Sequence, residues 1–309
     1  MVGSRLRLVA TAALLLAGLA QAAHNEEQNR AAVADAEAAA KKGPADIELD
    51  GQAVLHLPAG RQFVPEPQAM RLLNAMGNPG NDPRLQGVIF PEANEGWFLT
   101  VRYEASGYVK DDDAREWNAD ELLKSYREGT EASNEERVKL GVPAIEIVGW
   151  AEQPAYDAAA HRLVWAMSTR HKGASGQAPQ GVNYNTYALG REGYFSLNLV
   201  TALEGLSQNK GAAHQLLEAL EYKDGKRYAD FNAKTDHMAE YGLAALVVGV
   251  AAKKLGLIAL GVAFFAKFAK VILLGLALLG AGFVKLFGKR KGTPPATATP
   301  VIPAEPPRG

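Results

Sequence analysis

The C-terminal quarter of the chain constrains its fold more strongly than any other segment. From residue 241 to residue 287 almost every side chain is apolar, apart from a few lysines. Residues 271–284 carry no charge, and the stretch 268–288 would span about 31 Å as a helix that rises about 1.5 Å per residue. That length matches the hydrocarbon core of a bilayer. The pattern predicts a transmembrane helix over residues 268–288.

The residues just before this segment are apolar but interrupted by charge. Lys253 and Lys254 would lie at the midpoint of a second span and would each cost about 2.5–3.5 kcal/mol there. We therefore expect residues 236–267 to form an amphipathic or interfacial helix with its lysines toward water. One alternative is a C-terminal helical hairpin that crosses the membrane twice. Another is a pair of helices buried in a protein core.

A basic cluster sets the predicted orientation in the membrane. After a single span, the positive-inside rule places Lys289, Arg290 and Lys291 in the cytoplasm, whereas a hairpin would leave them outside. Residues 289–309 are rich in proline, and we expect them to form a basic cytoplasmic tail without regular structure.

The N-terminus has the three parts of a secretory signal. Two arginines precede the apolar stretch 8–19, and a small-residue cleavage site follows at 20–22. We expect residues 1–22 to be a signal peptide. A retained signal anchor is the alternative, although the apolar stretch is shorter than the ~20 residues of a spanning helix. Residues 23–44 are predicted to be a polar spacer that can form a helix but has too few large apolar groups to pack.

Charge is distributed unevenly along the chain. Residues 241–309 have nine Lys or Arg and one Glu, whereas residues 23–240 have a net charge of −11. The basic end suits anionic headgroups, so membrane lipid is an expected partner through the C-terminal anchor. The acidic domain argues against nucleic acid, which requires a basic surface. Because the chain has no cysteine, the exported domain must be stabilised by a hydrophobic core and not by disulfides.

Residues 45–235 are predicted to form one extracytoplasmic α+β domain. Large apolar residues alternate with other residues at 97–103, 162–167 and 194–199, which is the period of strands with one buried face. The stretch 190–193 lies between two such runs and predicts a hairpin turn. Short turns between neighbouring strands imply an antiparallel sheet with helices packed against it, as in a sandwich.

The same domain contains helical patterns. Helices are predicted over 68–76 and 203–222. Between them, Asn118 followed three residues later by Glu121 resembles a capping box, so a third helix should begin there. Gly129 is the point at which this helix would break.

The candidate chemistry centres on three adjacent aspartates. Asp111, Asp112 and Asp113 offer oxygen ligands to Ca²⁺ or Mg²⁺. Three further residues could join them as ligands or bases: Glu152, Asp157 and His161. The interpretation that we favour is a solvated turn in which Asp113 or Asn118 caps backbone N–H groups, with His161 as a hydrogen-bonded structural residue. No catalytic serine motif, zinc helix or phosphate loop is present, so we predict neither a metal nor a cofactor.

Polar and aromatic residues also form two short strings that could recognise a partner. They are Asn183, Tyr184, Asn185, Arg227 and Tyr228. One interpretation is a recognition groove, because Tyr and Arg are favoured in interface hot spots. The structural interpretation, which we favour, is that the asparagines tie down strand ends and that Arg227 pairs with Asp230 near the anchor.

Several strings in the domain resemble a known family. They lie at residues 107–114, 148–152, 161–166, 182–186, 189–191 and 227–232. Together they resemble domain of unknown function family 2167, a family of predicted membrane-anchored bacterial proteins, over roughly residues 45–290. The resemblance implies an anchor but no catalytic residue, because the family has no established activity. More distantly, the order of strands and helices is similar to PsbP-like and Mog1-like sandwiches, which act as accessory or binding modules.

These features together predict a bacterial envelope protein of the inner (cytoplasmic) membrane, with its domain in the periplasm or otherwise outside the cytoplasm. We expect it to bind or organise a protein partner without catalysing a reaction. The first alternative is a membrane-anchored, metal-assisted hydrolase that uses Asp111–Asp113. The second is a pore or transporter subunit built on the C-terminal hairpin. Clustering of the acidic residues with His161 in one pocket would favour the hydrolase, and dispersal would favour the binding module.

Overall fold

The structure, a computed structural model, describes residues 26–76, 81–93, 95–115, 117–139 and 143–248. In chain order the elements are α1 (26–39), β1 (Lys41–Lys42), β2 (Ala45–Leu49), β3 (Ala53–Leu57), β4 (Arg61–Pro65), α2 (Gln68–Ala75), β5 (Leu85–Pro91), β6 (Trp97–Glu104), β7 (Tyr108–Lys110), α3 (Ala119–Lys139), β8 (Ile145–Asp157), β9 (Arg162–His171), β10 (Gly181–Leu189), β11 (Tyr194–Ala202), α4 (Leu206–Glu218), β12 (Leu220–Tyr222), β13 (Met238–Gly242) and α5 (Leu243–Val248). Short 3₁₀ helices lie at Asp112–Arg115, Leu203–Gly205 and Tyr228–Asp230.

An eight-stranded antiparallel sheet forms the middle of the fold, with strand order β1-β4-β5-β6-β11-β10-β9-β8. A second, three-stranded antiparallel sheet has the order β12-β3-β2, and β13 pairs in parallel with β7. In the turn between β10 and β11, Gly190 N donates to Gly193 O at 2.8 Å. The predicted antiparallel sheet with packed helices is therefore confirmed, and so is the predicted turn at 190–193.

The central strands are buried on both faces. On β6, Trp97 and Leu99 belong to a cluster with residues of the three-stranded sheet and α4. Phe98, which lies between them in sequence, belongs to the cluster under α1 and α2 on the other face. Trp165 of β9 lies farther along that second face, under α3 and α5. The prediction of one buried face is wrong because buried Thr, Asn and Ser on the second face have the same sequence pattern as solvent-facing residues.

The predicted polar spacer, residues 23–44, packs against the domain where the structure describes it. Residues 26–39 form α1, and Ala36 is 1% exposed in the cluster that contains Leu72. β1 then pairs with β4 at one edge of the large sheet. The expectation that this segment cannot pack is wrong because alanine has so small a side chain that α1 can approach the core closely.

The capped helix predicted after Asn118 is confirmed. The Asn118 side-chain oxygen accepts hydrogen bonds from the N–H groups of Asp120 at 2.9 Å and Glu121 at 3.3 Å. These bonds satisfy amides that have no partner inside the helix. α3 continues through Gly129 without the expected break.

The other two predicted helices agree with the structure to different degrees. α2 ends one residue before the predicted boundary at 76. α4 covers only part of the predicted 203–222 stretch, because a 3₁₀ turn precedes it and Leu220–Tyr222 pairs with β3 as β12. Leu220 is buried in the core through this pairing. Tertiary pairing thus overrides the helical pattern at the end of the segment.

The first residues of the predicted 236–267 interfacial helix belong to the domain. Met238–Gly242 forms β13, and the described helix is limited to Leu243–Val248. Leu243 and Val247 are fully buried in the cluster under α3. The helical prediction is wrong at 238–242 because these residues find a strand partner in β7.

Residues 249–267 of the predicted interfacial helix lie outside the described residues, and so do three whole predicted segments. They are the signal peptide at 1–22, the transmembrane helix at 268–288 and the cytoplasmic tail at 289–309. Within the part of the chain that the structure describes, no helix is long and apolar enough to cross a membrane. The predicted anchor and orientation therefore stay predictions.

A buried ion-pair network joins the turn before β5 to the second face of the large sheet. Arg102 of β6 is 6% exposed, and its Nε donates to Asp82 Oδ2 at 2.9 Å. Arg84 Nε donates to Asp82 Oδ1 at 2.7 Å. Burial alone would raise the pKa of Asp82, but hydrogen bonds from Arg84 and the charge of Arg102 lower it to about 2. The Asp82 carboxylate therefore stays charged and neutralises the buried guanidinium of Arg102.

Candidate functional site

The three aspartates that follow β7 have different surroundings. Asp111 Oδ2 accepts a hydrogen bond from the Tyr156 hydroxyl at 2.6 Å. Asp112 is exposed at the start of a 3₁₀ turn. Asp113 turns to the other side and accepts hydrogen bonds from the first residues of α5. The acidic run therefore does not present its carboxylates to one shared position.

Asp111, Tyr156 and His161 form one hydrogen-bonded cluster. The Tyr156 hydroxyl lies 2.6 Å from Asp111 Oδ2 and 3.2 Å from His161 Nδ1, and Asp111 lies 3.6 Å from His161 Nδ1. An ionised carboxylate can only accept, so Tyr156 donates its single proton to Asp111 and His161 Nδ1 must donate to Tyr156. Burial and then the bond to Asp111 raise the pKa of Tyr156 far above its ordinary value. Tyr156 is therefore a fixed donor and not a base.

A stack of aromatic rings holds His161 from the other side. The distances between ring centroids are 4.1 Å for His161 and Tyr228, 4.3 Å for Tyr228 and Tyr108, and 3.9 Å for Tyr108 and Phe231. The Tyr228 hydroxyl donates to Val109 O at 2.8 Å. Stacked aromatic contacts of this kind add stability beyond the buried area. The predicted residues Asp111, His161 and Tyr228 thus lie together, and the sequence analysis missed Tyr156, Tyr108 and Phe231.

The turn that carries His161 uses the next predicted carboxylate. Asp157 Oδ1 accepts hydrogen bonds from the N–H groups of Ala159 at 2.8 Å and Ala160 at 3.1 Å. His161 adopts a φ of 53°, in the left-handed region that costs energy for a residue with a side chain. Its carbonyl accepts a hydrogen bond from Leu189 N at 3.0 Å. Asp157 therefore shapes the turn and does not join Asp111.

Asp113 fastens the start of α5 to the domain. Its two carboxylate oxygens accept hydrogen bonds from Leu243 N at 3.0 Å and Ala244 N at 3.1 Å. A Cβ at Gly242 would lie only 2.5 Å from Asp113 Oδ2, so glycine is needed at this position. The prediction that Asp113 caps backbone amides is confirmed, although it caps α5 and not the helix that follows it in sequence.

Glu152 belongs to a second cluster on the opposite face of the large sheet. The Tyr184 hydroxyl lies 2.8 Å from Glu152 Oε1 and 2.7 Å from His214 Nε2. Lys210 Nζ forms an ion pair with Glu152 Oε2 at 3.1 Å. Burial and the bond to Glu152 raise the pKa of Tyr184 strongly. By the same proton count as above, Tyr184 donates to Glu152 and His214 donates to Tyr184.

The sequence analysis missed both α4 residues of this second cluster. Lys210 and His214 are four residues apart, so they share one side of the helix. The four-residue spacing is visible in the sequence, but it predicts no site by itself. The site exists only because β8 and β10 place Glu152 and Tyr184 beneath α4.

The two asparagines predicted as recognition residues are buried. Asn183 and Asn185 flank Tyr184 on β10, so they point to the opposite face, under the helices. Asn185 Nδ2 donates to Asn183 O at 3.2 Å, and Asn198 Nδ2 donates to Asn185 Oδ1 at 3.0 Å. Asn183 is 3% exposed, and Asn185 and Tyr184 are 0% exposed. A recognition groove formed by these residues is therefore wrong, because they are inaccessible to a partner.

Arg227 has a local role at the surface. Its Nη2 donates to Asp224 Oδ1 at 2.7 Å, and its backbone N–H donates to Asp230 Oδ2 at 3.0 Å. The predicted contact with Asp230 therefore exists, but through the backbone of Arg227 and not through its charge. Tyr228, next in sequence, is 7% exposed and belongs to the aromatic stack.

The chain can be placed in a family by its sequence. Residues 41–278 match the model described as protein of unknown function (DUF2167). The chain belongs to this family. The resemblance noted from the sequence strings is thus confirmed for family membership. Among curated proteins, none matches the sequence significantly.

Two solved structures are similar to the chain at a low level. Cyanobacterial PsbP (CyanoP) from Synechocystis sp. PCC 6803 is 10% identical, with a TM-score of 0.34, over 60% of this chain and 91% of that one. A protein of unknown function from Pseudomonas aeruginosa, PA94, is also 10% identical, with a TM-score of 0.22, over 55% of this chain and 91% of that one. Scores this low carry no argument about function.

Proposed function

We propose that the protein is an exported, membrane-anchored binding or organising module of the bacterial cell envelope, with its α+β domain outside the cytoplasm and no reaction of its own. The observation that carries this proposal is the set of contacts that holds the first residues of the apolar C-terminal segment against the domain. Asp113 holds the amides of Leu243 and Ala244, and β13 pairs with β7. A flexible tether needs none of these contacts. The connection suits a domain that is held in one orientation at the membrane.

The carboxylates of the acidic run are directed to separate partners. Asp111, Asp113 and Asp157 each accept hydrogen bonds from a different partner: Tyr156, α5 and the 158–161 turn. A metal-assisted hydrolase needs several ligands that converge on one cation. Among the described residues, no group of three or more His, Cys, Asp or Glu side chains is placed to hold a metal ion. The acidic run therefore lends no support to the hydrolase alternative.

Thiol labelling tests the proposed topology, since the chain has no cysteine of its own. Lys124→Cys places a thiol on the exposed side of α3, and Gly309→Cys places one at the end of the tail. In intact cells, a membrane-impermeant maleimide should label Cys at 124 and not at 309, and lysis should expose both. Labelling of both in intact cells would indicate a hairpin, and labelling of neither would put the domain in the cytoplasm. Recovery of the protein in the soluble fraction would refute the anchor.

Photocrosslinking tests the binding role. A photoreactive group attached at exposed positions over the domain, in native membranes, should give a discrete product from one face. Correctly inserted protein that gives no product from any exposed face would refute a binding module while leaving the topology intact.

A further inference from the structure

Arg137 is a buried guanidinium to which the described residues supply no counter-ion. It lies near the C-terminal end of α3 and is 3% exposed, and its Nε donates to Pro143 O at 2.9 Å. Within the described residues, neither Nη1 nor Nη2 has a hydrogen-bond partner. Burial lowers the pKa of Arg137 to about 10, which still leaves the side chain charged at neutral pH.

An unpaired buried charge is costly, so it needs an explanation. A guanidinium that loses its hydration and gains no anion has no electrostatic compensation. The comparably buried Arg102 differs from Arg137, because its charge is neutralised by a hydrogen-bonded carboxylate, that of Asp82. The two unpartnered Nη groups of Arg137 form a planar fork that matches two oxygen atoms of one oxyanion.

The end of α3 that carries Arg137 is bonded to the start of β8, and a second unpartnered nitrogen lies on the neighbouring strand β9. Asn134, one turn earlier on the buried side of α3, bonds both the N–H and the C=O of Ile145. His171 lies directly opposite Ile145 in the β8–β9 ladder, so both side chains point to the face under α3. His171 Nδ1 is buried, again with no hydrogen-bond partner among the described residues. Asn134 Nδ2 also donates to Glu131 Oε2 at 3.2 Å, so both of its protons are used. The unpartnered nitrogens at this end of the sheet are therefore those of Arg137 and His171.

We propose that Arg137 is the centre of an oxyanion-binding site under the C-terminal end of α3. The ligand is a carboxylate or phosphate group, held by parallel N–H···O bonds from Nη1 and Nη2. This site is separate from the two tyrosine-centred clusters and does not depend on the proposed membrane anchor, so either proposal can fail alone.

Thermal unfolding of the purified full-length protein tests the site. Sodium phosphate and sodium acetate are titrated separately, with sodium chloride added to keep the ionic strength constant. At least one oxyanion should raise the unfolding midpoint saturably, and the stronger of the two identifies the ligand group. Arg137→Met should abolish the shift. Arg137→Lys should weaken the apparent affinity about tenfold or more, because an ammonium group cannot form the bidentate fork.

Arg127→Met is the matched control, because it removes the same group from the same helix. Arg127 is exposed and already donates to Ile147 O and Val148 O, so this variant should keep the full anion response. Equal responses in wild type and Arg137→Met, or no saturable response to either anion in wild type, would overturn the proposal. If Arg137→Met fails to fold, the anion is titrated by calorimetry into wild type and, separately, into Arg137→Lys. Equal anion affinities of these two proteins would refute the bidentate fork.

Discussion

Asp113→Ala is the sharpest test of how the domain holds the segment that leaves it. The substitution removes the acceptors for Leu243 N and Ala244 N, which now lie 3.0 and 3.1 Å from the carboxylate oxygens. Loss of an aspartate cap costs about 0.5–2 kcal/mol, and loss of a negative charge at a helix start costs a further 0.3–1 kcal/mol or so. Because Leu243 is fully buried, water cannot easily replace the carboxylate. We expect the free energy of unfolding to fall by about 1.5–2.5 kcal/mol.

Urea unfolding of the full-length protein measures this loss, and amide hydrogen exchange at residues 243–248 shows whether it is local. Asp112→Ala is the control, since it removes the same charge from an exposed neighbour and should change stability by less than about 0.5 kcal/mol. Gly242→Ala should resemble Asp113→Ala, because its new Cβ would displace the carboxylate. Equally small effects of Asp112→Ala and Asp113→Ala, with unchanged exchange at 243–248, would refute the cap.

Two further predictions concern ionisable groups. Asp82→Asn should lower the free energy of unfolding at pH 7 by about 3 kcal/mol, because it removes the carboxylate that neutralises buried Arg102. In folded wild type the pKa of Asp82 is about 2, below the ordinary 3.8. The stabilisation is therefore present above pH 3.8 and is lost as the pH falls through 2. If acid changes the denaturation curves of wild type and Asp82→Asn equally, this role of Asp82 is contradicted. Hydrogen bonds to Asp46 and then Glu221 raise the pKa of His56 above 6.5, so its contribution is present below pH 6.5 and is lost as the pH rises through the folded pKa. An NMR titration of the imidazole should give a midpoint above 6.5 that falls in Asp46→Asn, and a wild-type midpoint at or below 6.5 would be inconsistent with these bonds.

The elements that sequence analysis predicted correctly have local determinants. Asn118 and the two amides that it caps lie within three residues of one another, so the start of α3 is visible in the sequence. The alternation at 97–103 likewise defines a strand by itself. Burial of the second sheet face is different, because it depends on cross-strand neighbours such as Asn185 and Asn198, which satisfy each other only in the correct register. No single strand contains that information.

The candidate site was predictable only in part, for a similar reason. The chemistry of Asp111 and His161 makes them candidates for one site, and the fold places Asp111 Oδ2 3.6 Å from His161 Nδ1. Tyr156, which joins them, has no signature of its own, because a tyrosine in a strand usually serves as a core residue. Nothing in the sequence distinguishes Arg137, since a lone arginine on a helix is normally exposed. Only the fold shows that Arg137 is buried and that its two Nη atoms have no hydrogen-bond partner among the described residues.

α3 connects the two features on which the proposals rest. Leu122 and Tyr126, in its first half, pack in the same cluster as Leu243 and Val247, whereas Arg137 lies near its other end. Allosteric coupling between the ends would need a second arrangement of this helix that a ligand could favour. α3 is held by its Asn118 cap at one end and by side-chain bonds to Pro143 and Ile145 at the other. An anion on Arg137 would remove the cost of an unpaired buried charge and would so stabilise the helix that supports α5, and this stabilisation needs no second arrangement.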